Sequence, residues 1–231
     1  MIDFHTHILP NIDDGASSTK MSNDMVSELK KQGVKNIILT PHFYSHNTSL
    51  DTFVKKRKET YNNLLLSNNS NDFILGSETY FSKYIFKYKD ISELLIGNSN
   101  YILFEIPFQN FSPKEIEEHI YRFMTAYNVT PILAHIERYP YLLNNNVLRS
   151  IKHMGCLLQV NLSSVNKGFF KKRQLLKLID SGIIDLLGTD CHNLTSRPPI
   201  YKKYIEMISK SIGYDAINEI NHLGEQIISS C

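Results

Sequence analysis

The sequence predicts an α/β fold built around one parallel barrel, and three observations carry that reading. Short apolar runs of strand character alternate with segments of helical period, the pattern of successive βα units. The runs number about seven, at residues 1–4, 36–41, 73–77, 101–104, 131–134, 156–160 and 183–189. Nine histidines and carboxylates stand at or just past such runs: His5, His7, His42, Glu78, Glu105, His135, Asp190 and His192, with Asp14 in the loop after His7. In a parallel barrel the strand ends gather at the C-terminal mouth, where barrel enzymes keep their chemistry.

The helical segments follow in order. Met21, Met25 and Leu29 recur every fourth residue and Gly33 is placed to end that helix. Ser112-Pro113-Lys114-Glu115 predicts a helix start: a Ser cap, Pro in the first turn and Glu three residues after the cap. Its buried face is expected to carry Ile116, Ile120, Phe123, Met124 and Tyr127. Leu175, Leu178 and Ile179 before Gly182 mark another helix, and residues 205–228 read as two helices broken near Gly213. The Asn-rich patches at 67–72 and 144–146 read as surface turns. With no internal repeat and no boundary, residues 1–231 are expected to form a single domain.

Composition excludes several classes of function. A chain of 231 residues with 42% hydrophobic content suits one large α/β domain with a full core. The charge balance, 25 − 23 = +2, points to neither nucleic acid nor an anionic membrane. The apolar runs fall far short of the ~18–20 residues that cross a bilayer, so no membrane insertion is expected. Met1-Ile2-Asp3-Phe4-His5 has neither a basic n-region nor an apolar h-region, and a cytoplasmic protein is expected. Cys156, Cys191 and Cys231 are odd in number and widely spaced, as reduced thiols would be.

The chemistry lies in the strand ends. His5 and His7 are two apart, so on a strand both imidazoles reach the same side and one ion. The loop that follows supplies Asp13, Asp14 and Gly15; Asp14 is read as the ligand and Asp13 as a supporting or capping group. Glu105 falls inside Leu103-Phe104-Glu105-Ile106-Pro107, where an unpaired charge is costly and a cation removes the cost. Asp190 and His192 again present one face, which turns the small Cys191 side chain the other way. Imidazoles and carboxylates gathered at one point need a positive partner, and metal ions supply it. Arg138 and Arg197 add planar forks suited to the oxygens of a phosphate monoester. His46 is placed at the rim, whereas His119, His153 and His222 fall on helices away from this chemistry. Cys191 and Arg197 do stand at the spacing of a Cys-x5-Arg loop, but strand alternation turns the Cys191 side chain away from the ligand face, so no cysteine nucleophile is expected.

In this order, His5-Thr6-His7 through Asp13-Asp14-Gly15, Thr40-Pro41-His42, Gly76-Ser77-Glu78, Phe104-Glu105-Ile106-Pro107, Ala134-His135-Ile136-Glu137-Arg138-Tyr139 and Asp190-Cys191-His192 through Arg197-Pro198-Pro199 resemble the polymerase-and-histidinol-phosphatase superfamily. The match is closest to the manganese-dependent protein tyrosine phosphatases of bacterial capsule and exopolysaccharide loci. The resemblance implies a distorted (β/α)7 barrel with its metal site at the C-terminal mouth. It also implies three divalent ions, manganese foremost, with iron, zinc and magnesium as alternatives. His5, His7, Glu78 and Asp190 would hold one ion, Glu78, Glu105 and His135 the second, and Asp14, His42 and His192 the third. Arg138 and Arg197 would bind phosphate.

The implied reaction is hydrolysis of phosphotyrosine on a protein by metal-bound hydroxide, the partner being the tyrosine-rich tail of a bacterial kinase that regulates capsule synthesis. A metal-linked water or His42 would protonate the leaving group, and the oligomeric state stays open. Two positions depart from the family pattern: Ile136 stands where Pro is usual, and Thr189-Asp190-Cys191-His192 where Ser-Asp-Ala-His is usual. Three rivals remain. One is a small-molecule phosphomonoesterase such as a histidinol phosphatase. Another is an amidohydrolase, a group that often has a modified Lys where this chain has Glu105. The third is a non-catalytic phosphotyrosine-binding regulator.

Overall fold

The computed structural model describes residues 1–68, 72–107 and 111–231. Nine strands are present among them: β1 (Ile2–Thr6), β2 (Asn36–Leu39), β3 (His42–Phe43), β4 (Phe73–Leu75), β5 (Glu78–Tyr80), β6 (Tyr101–Glu105), β7 (Thr130–Leu133), β8 (Leu157–Asn161) and β9 (Leu186–Gly188). All pair in parallel, in the orders β1-β2-β4 and β3-β5-β6-β7-β8-β9.

The count exceeds the seven runs of the sequence because two of the runs are each followed by a second short strand that starts just past the run's end. Thr40-Pro41 divides β2 from β3, and Gly76-Ser77 divides β4 from β5. Pro41 has no N–H to give to a ladder, so pairing lapses there. The cut staves still travel together: the Gly76 N–H donates to the Leu39 carbonyl at 2.9 Å and the Glu78 N–H to the Pro41 carbonyl at 3.0 Å. Beyond β9, the Asp190 N–H donates to the His5 carbonyl at 2.8 Å and the His7 N–H to the Cys191 carbonyl at 2.9 Å. These two bonds tie the last stave to the first.

Strand residues alternate between two apolar clusters, as the period of two requires. Ile37, Leu39, Ile102, Phe104, Leu133, Leu158, Val160 and Leu187 join the larger cluster with residues of the surrounding helices. Phe4, Ile38, Leu103, Ile132 and Leu186 meet in the second, with Ile227. Strands at opposite ends of a flat sheet would be tens of ångströms apart at ~4.8 Å per step. Their meeting in one cluster therefore means that the sheet is curled.

Seven helices connect and cover the strands: α1 (Thr19–Lys31), α2 (Leu50–Asn68), α3 (Pro113–Tyr127), α4 (Asn145–His153), α5 (Phe169–Asp180), α6 (Lys202–Ile212) and α7 (Asp215–Ser229). The expected capping box is formed at Ser112 and Glu115, and Asn128 ends α3 in the left-handed conformation. Ile116, Ile120 and Phe123 are buried there, while Met124 and Tyr127 are only partly so. The break between α6 and α7 falls at Gly213, whose φ is +82°.

Two helices carry little advance signal. The buried side of α2 is Leu50, Phe53, Arg57 and Leu64, an apolar stripe interrupted by a guanidinium that donates to the Gly76 carbonyl at 2.8 Å. The patch at 144–146, expected as a turn, instead starts α4: the Asn144 side chain accepts from the Asn146 N–H at 2.9 Å. At 67–72, Ser67 and Asn68 belong to α2, and residues 69–71 lie outside the described residues. Among the described residues no helix is long and apolar enough to cross a membrane.

Candidate metal centre

The strand ends bring all nine expected ligands together. His5 sits on β1 and His7 one residue beyond it; His42 opens β3, Glu78 opens β5 and Glu105 ends β6. His135 follows β7, and Asp190 and His192 follow β9. His135 and Asp190 have φ of +35° and +54°, left-handed values that are uncommon for non-glycine residues and that turn the chain sharply after the strand. Gly15 and Gly188 allow close approach: a Cβ on Gly15 would stand 2.1 Å from the His7 carbonyl oxygen, and one on Gly188 2.6 Å from the His5 Cβ.

Glu78 is the hub. Its Oε2 lies 3.1 Å from His5 Nε2, 3.2 Å from His7 Nε2 and 3.0 Å from His42 Nδ1, and its Oε1 lies 2.7 Å from His135 Nε2. Glu105 approaches His135 Nε2 at 3.4 Å and His42 Nδ1 at 3.7 Å. Asp14 stands 3.5 Å from His42 Nε2 and 3.4 Å from His192 Nε2, and Asp190 stands 3.4 Å from His7 Nε2.

Burial opposes charge on both partner types, yet their mutual attraction wins. The carboxylates of Glu78 and Asp190 are held well below their ordinary range by the surrounding imidazoles, against strong desolvation. His7 is raised well above its usual value once Asp13, Asp190 and Glu78 overcome its burial. Burial likewise pushes His135 down, but Glu105 and Glu78 lift it to about 9. For His192 burial prevails and lowers it.

This donor set fits divalent cations. Glu78 Oε2, Asp190 Oδ1, His42 Nδ1 and His192 Nε2 are buried and make no hydrogen bond of ordinary geometry, although each faces a ligand-type atom. Imidazole and carboxylate atoms that converge with their hydrogen bonds unmet are what a cation organises, taking the place of the protons the raised imidazoles otherwise hold. Ligand atoms gather within 4.8 Å of one another in three groups: His7, Asp14, His42 and His192; His5, His7 and Asp190; and His42, Glu78 and Glu105. These overlap the three sets that the family resemblance implies but differ in detail. His7 joins the Asp14 group, and His42 stands beside Glu78 and Glu105 together with the expected His135.

A supporting layer was largely missed in the sequence. Asp13 is the exception: as the loop predicts, it supports a ligand, its Oδ2 lying 2.8 Å from His7 Nδ1 and accepting the His42 N–H at 2.9 Å. The run at 156–160 offers no ligand, yet Gln159 and Asn161, two apart on β8, point the same way. Gln159 Oε1 accepts the His135 N–H at 2.8 Å and lies 3.3 Å from His5 Nδ1. Gln159 Nε2 donates to Asn161 Oδ1 at 3.0 Å, and Asn161 Nδ2 donates to Asp190 Oδ2 at 2.6 Å. Glu137 is buried and accepts the Ser164 hydroxyl at 2.9 Å. Alternation of side chains on β8 was the available signal for the Gln159 and Asn161 pair.

Arg138 and Arg197 both reach Asp190 Oδ2, Arg197 at 2.6 Å. Their side chains are 31% and 34% exposed, so each fork keeps donors for an incoming ligand. Both line a cavity of about 510 Å³ with Ser163, Asn166, Lys167 and Tyr204. His46 is exposed and meets Tyr44 and Tyr80 in ring contacts at 5.8 and 5.5 Å, with Tyr44 stacked on His42 at 5.1 Å. His119, His153 and His222 lie on α3, α4 and α7 as expected. Cys191 is fully buried in the core, where desolvation raises its thiol well above the usual value. Cys156 and Cys231 are also free thiols.

The chain belongs to the CpsB/CapC family of capsular polysaccharide synthesis, whose family model matches residues 1–228. It is 28% identical to the tyrosine-protein phosphatase CpsB of Streptococcus pneumoniae over 233 residues, covering 95% of this chain and 94% of that protein. It is also 28% identical to the putative tyrosine-protein phosphatase CapC of Staphylococcus aureus, over 100% of this chain and 92% of that one. The fold matches a chain from crystal structures of YwqE from Bacillus subtilis and CpsB from Streptococcus pneumoniae, described as unique metal-dependent tyrosine phosphatases. That match has a TM-score of 0.81 at 24% identity and covers 100% of this chain and 95% of that one.

Proposed function

We propose that this protein is a metal-dependent protein-tyrosine phosphatase built on a distorted (β/α)7 barrel, with its metal site at the C-terminal mouth. The observation that carries the reading is the convergence of His5, His7 and His42 on one Glu78 oxygen at 3.0–3.2 Å, with two half-open guanidiniums beside it on Asp190. Curated relatives over nearly the whole chain are named as tyrosine-protein phosphatases, which supports the choice of substrate. The seven-stave reading is supported by the two divided staves and by the bonds between the chain after β9 and β1.

His5, His7, Asp14, His42, Glu78, Glu105, His135, Asp190 and His192 would hold divalent ions, three in number and manganese foremost. Mixed imidazole and carboxylate donors accept manganese readily. When bound, such ions stabilise charge on phosphoryl oxygens and lower the pKa of water to near neutrality. The chain's own residues do the rest. Arg138 and Arg197 orient the phosphate and neutralise charge that grows on it. Asn161 and Gln159 fix Asp190, His5 and His135 in place, and Asp13 fixes His7. Protonation of the departing tyrosyl oxygen is assigned to a water at the site or to His42, at 13% exposure, through a ring nitrogen that would hold no ion. The buried Cys191 has no part in the chemistry.

The proposed substrate is the tyrosine-rich tail of a bacterial kinase that regulates capsule synthesis, a choice that rests on the family's place in that process, and this protein is proposed to meet it in the cytoplasm. Turnover of a phosphotyrosyl peptide and of histidinol phosphate by the purified, manganese-supplied protein tests the reading. The peptide is expected to have the larger kcat/KM. A preference for histidinol phosphate would make the protein a small-molecule phosphatase, and turnover of neither would contradict catalysis.

A further inference from the structure

The cavity that holds Arg138 and Arg197 continues onto an unusual surface. Lys167 lines the cavity, and one glycine later α5 begins with Phe169 and Phe170, which are 72% and 85% exposed. Between residues 167 and 177 stand five cations, Lys167, Lys171, Lys172, Arg173 and Lys177, and no carboxylate. Among the described residues none of the five has an acidic partner within 4.0 Å, whereas the whole chain carries only +2. A groove of about 320 Å³ runs along this side of α5. Phe169, Leu176 and Ile212 supply its apolar part, Lys172, Arg173 and Lys177 its basic rim, and Asp180 the one carboxylate among its lining residues.

Two elements connect cavity and groove independently. α5 follows directly on Lys167 and then lines the groove. α6 gives Tyr204 to the cavity and Ile212, two turns further on, to the groove. Both helices therefore lead away from the two arginines.

We propose that this groove is the docking surface for the chain that flanks the phosphotyrosine, and that it selects acidic segments carrying one large apolar side chain. The inference rests on the phosphatase reading and names its substrate class more closely. Phe169 to Lys177 spans about 12 Å of helix. An extended peptide covers that distance in about four residues at ~3.3 Å each. Lys167 lines the cavity and Phe169 the groove only two residues on, so the apolar anchor falls within about six residues of the phosphotyrosine, and Asp or Glu between them meet the basic rim. An acidic segment answers both the charge of the rim and its lack of partners. Continuity with the arginine cavity favours a substrate over a lipid surface or a second copy of the chain.

Three substrates separate the contributions: p-nitrophenyl phosphate, a phosphotyrosyl peptide flanked by Gly and Ser, and one with Glu residues and a Phe four positions away. The last is made with the flank on either side of the phosphotyrosine. The variants are Phe169→Ser and the pair Lys172→Glu with Arg173→Glu, all on the surface of α5. The wild-type protein is expected to prefer one acidic peptide over the Gly/Ser peptide by about tenfold or more in kcat/KM, the size of one lost aromatic anchor. Both variants should lose that preference while hydrolysing p-nitrophenyl phosphate at the wild-type rate. Added salt should erode the wild-type preference.

Equal rates on all peptides, or a preference that survives both variants, would overturn the docking surface and leave the phosphatase reading intact. Binding of the fluorescently labelled acidic peptide, weakened in both variants, separates the reverse case: binding without any turnover would leave the surface and remove the phosphatase reading. A changed oligomeric mass in Phe169→Ser, or loss of binding to anionic phospholipid vesicles in both variants, with peptide preference unchanged, would also overturn the proposal. The face would then belong to a second copy or to a membrane.

Discussion

Buried carboxylates occur in two regions of this molecule and behave in opposite ways. Asp3 and Asp185 are matched by donors on each oxygen. Asp3 accepts the Thr189 N–H at 2.8 Å and hydroxyl at 2.6 Å and the His5 N–H at 3.3 Å, and burial raises its pKa to about 7. Asp185 takes Lys152 Nζ at 2.6 Å and the Leu158 N–H at 2.9 Å. At the strand ends, Glu78 and Asp190 are equally buried but meet several imidazoles each, hold low pKa values, and keep an oxygen without a proper hydrogen bond. The same residue type is satisfied by packing where each oxygen meets a donor, and is left open to a ligand where lone pairs converge.

The sharpest way to break the comparison is to remove a group from each region. His135→Ala takes away a fully buried imidazole that contacts both Glu78 and Glu105. Bound metal and turnover are expected to fall together, by more than the roughly 10²–10³-fold that one charge-stabilising donor contributes. Metal analysis alongside steady-state rates reads this. Retention of both would place His135 with the structural groups.

Arg197→Ala and Arg138→Ala should divide what His135→Ala loses together. Each is expected to keep its metal while turnover of a phosphotyrosyl peptide drops by about 10²–10³-fold. An Arg197→Ala protein as fast as the parent would remove that side chain from phosphate binding.

Asp13→Asn probes the layer behind the ligands. The Asp13 carboxylate is kept ionised by His7, which outweighs its burial, and it also accepts the Gly15 and His42 N–H groups. Loss of its charge should weaken metal affinity by about 10–100-fold, restored by excess metal in the assay. Unchanged affinity in a metal titration would contradict the positioning role.

Lys152→Met is the control in the packed region, and its effect on activity is expected to be nil. Its cost is to stability, on the order of 1–3 kcal/mol, because Asp185 is left buried without its cation. The sign with pH follows from the carboxyl. Burial already raises Asp185, and losing Lys152 raises it further, so the folded state of the variant holds its proton more tightly than the unfolded state does. The deficit is therefore small where Asp185 is protonated and grows as pH rises through the folded pKa. Thermal unfolding at several pH values measures it, and a deficit that shrinks with rising pH would reverse the assignment.

The packed and the convergent regions were not equally legible in the sequence. The nine strand-end groups could be named because a parallel fold maps the ends of separate runs to one place. The capping box at Ser112 and the break at Gly213 were legible because each is a local backbone requirement. The cuts at Pro41 and Gly76 were not, since an apolar run does not state where its pairing partner changes. α2 was hidden by Arg57, whose cation lies on the buried side. Gln159 and Asn161 were missed because neutral amides carry no signal until the groups they hold are in place. The grouping of His7 and His42 depends on side-chain reach of a few ångströms, which run order alone does not fix.

The central claim is that the convergent region works only with metal. Its most direct test is one titration: strip the purified protein with a strong chelator, then add Mn²⁺ back while counting bound ions and measuring hydrolysis of a phosphotyrosyl peptide. The account predicts that the stripped protein stays folded but inactive, and that activity returns as the ions bind, up to three per chain. Full activity in protein shown to be free of metal would contradict it.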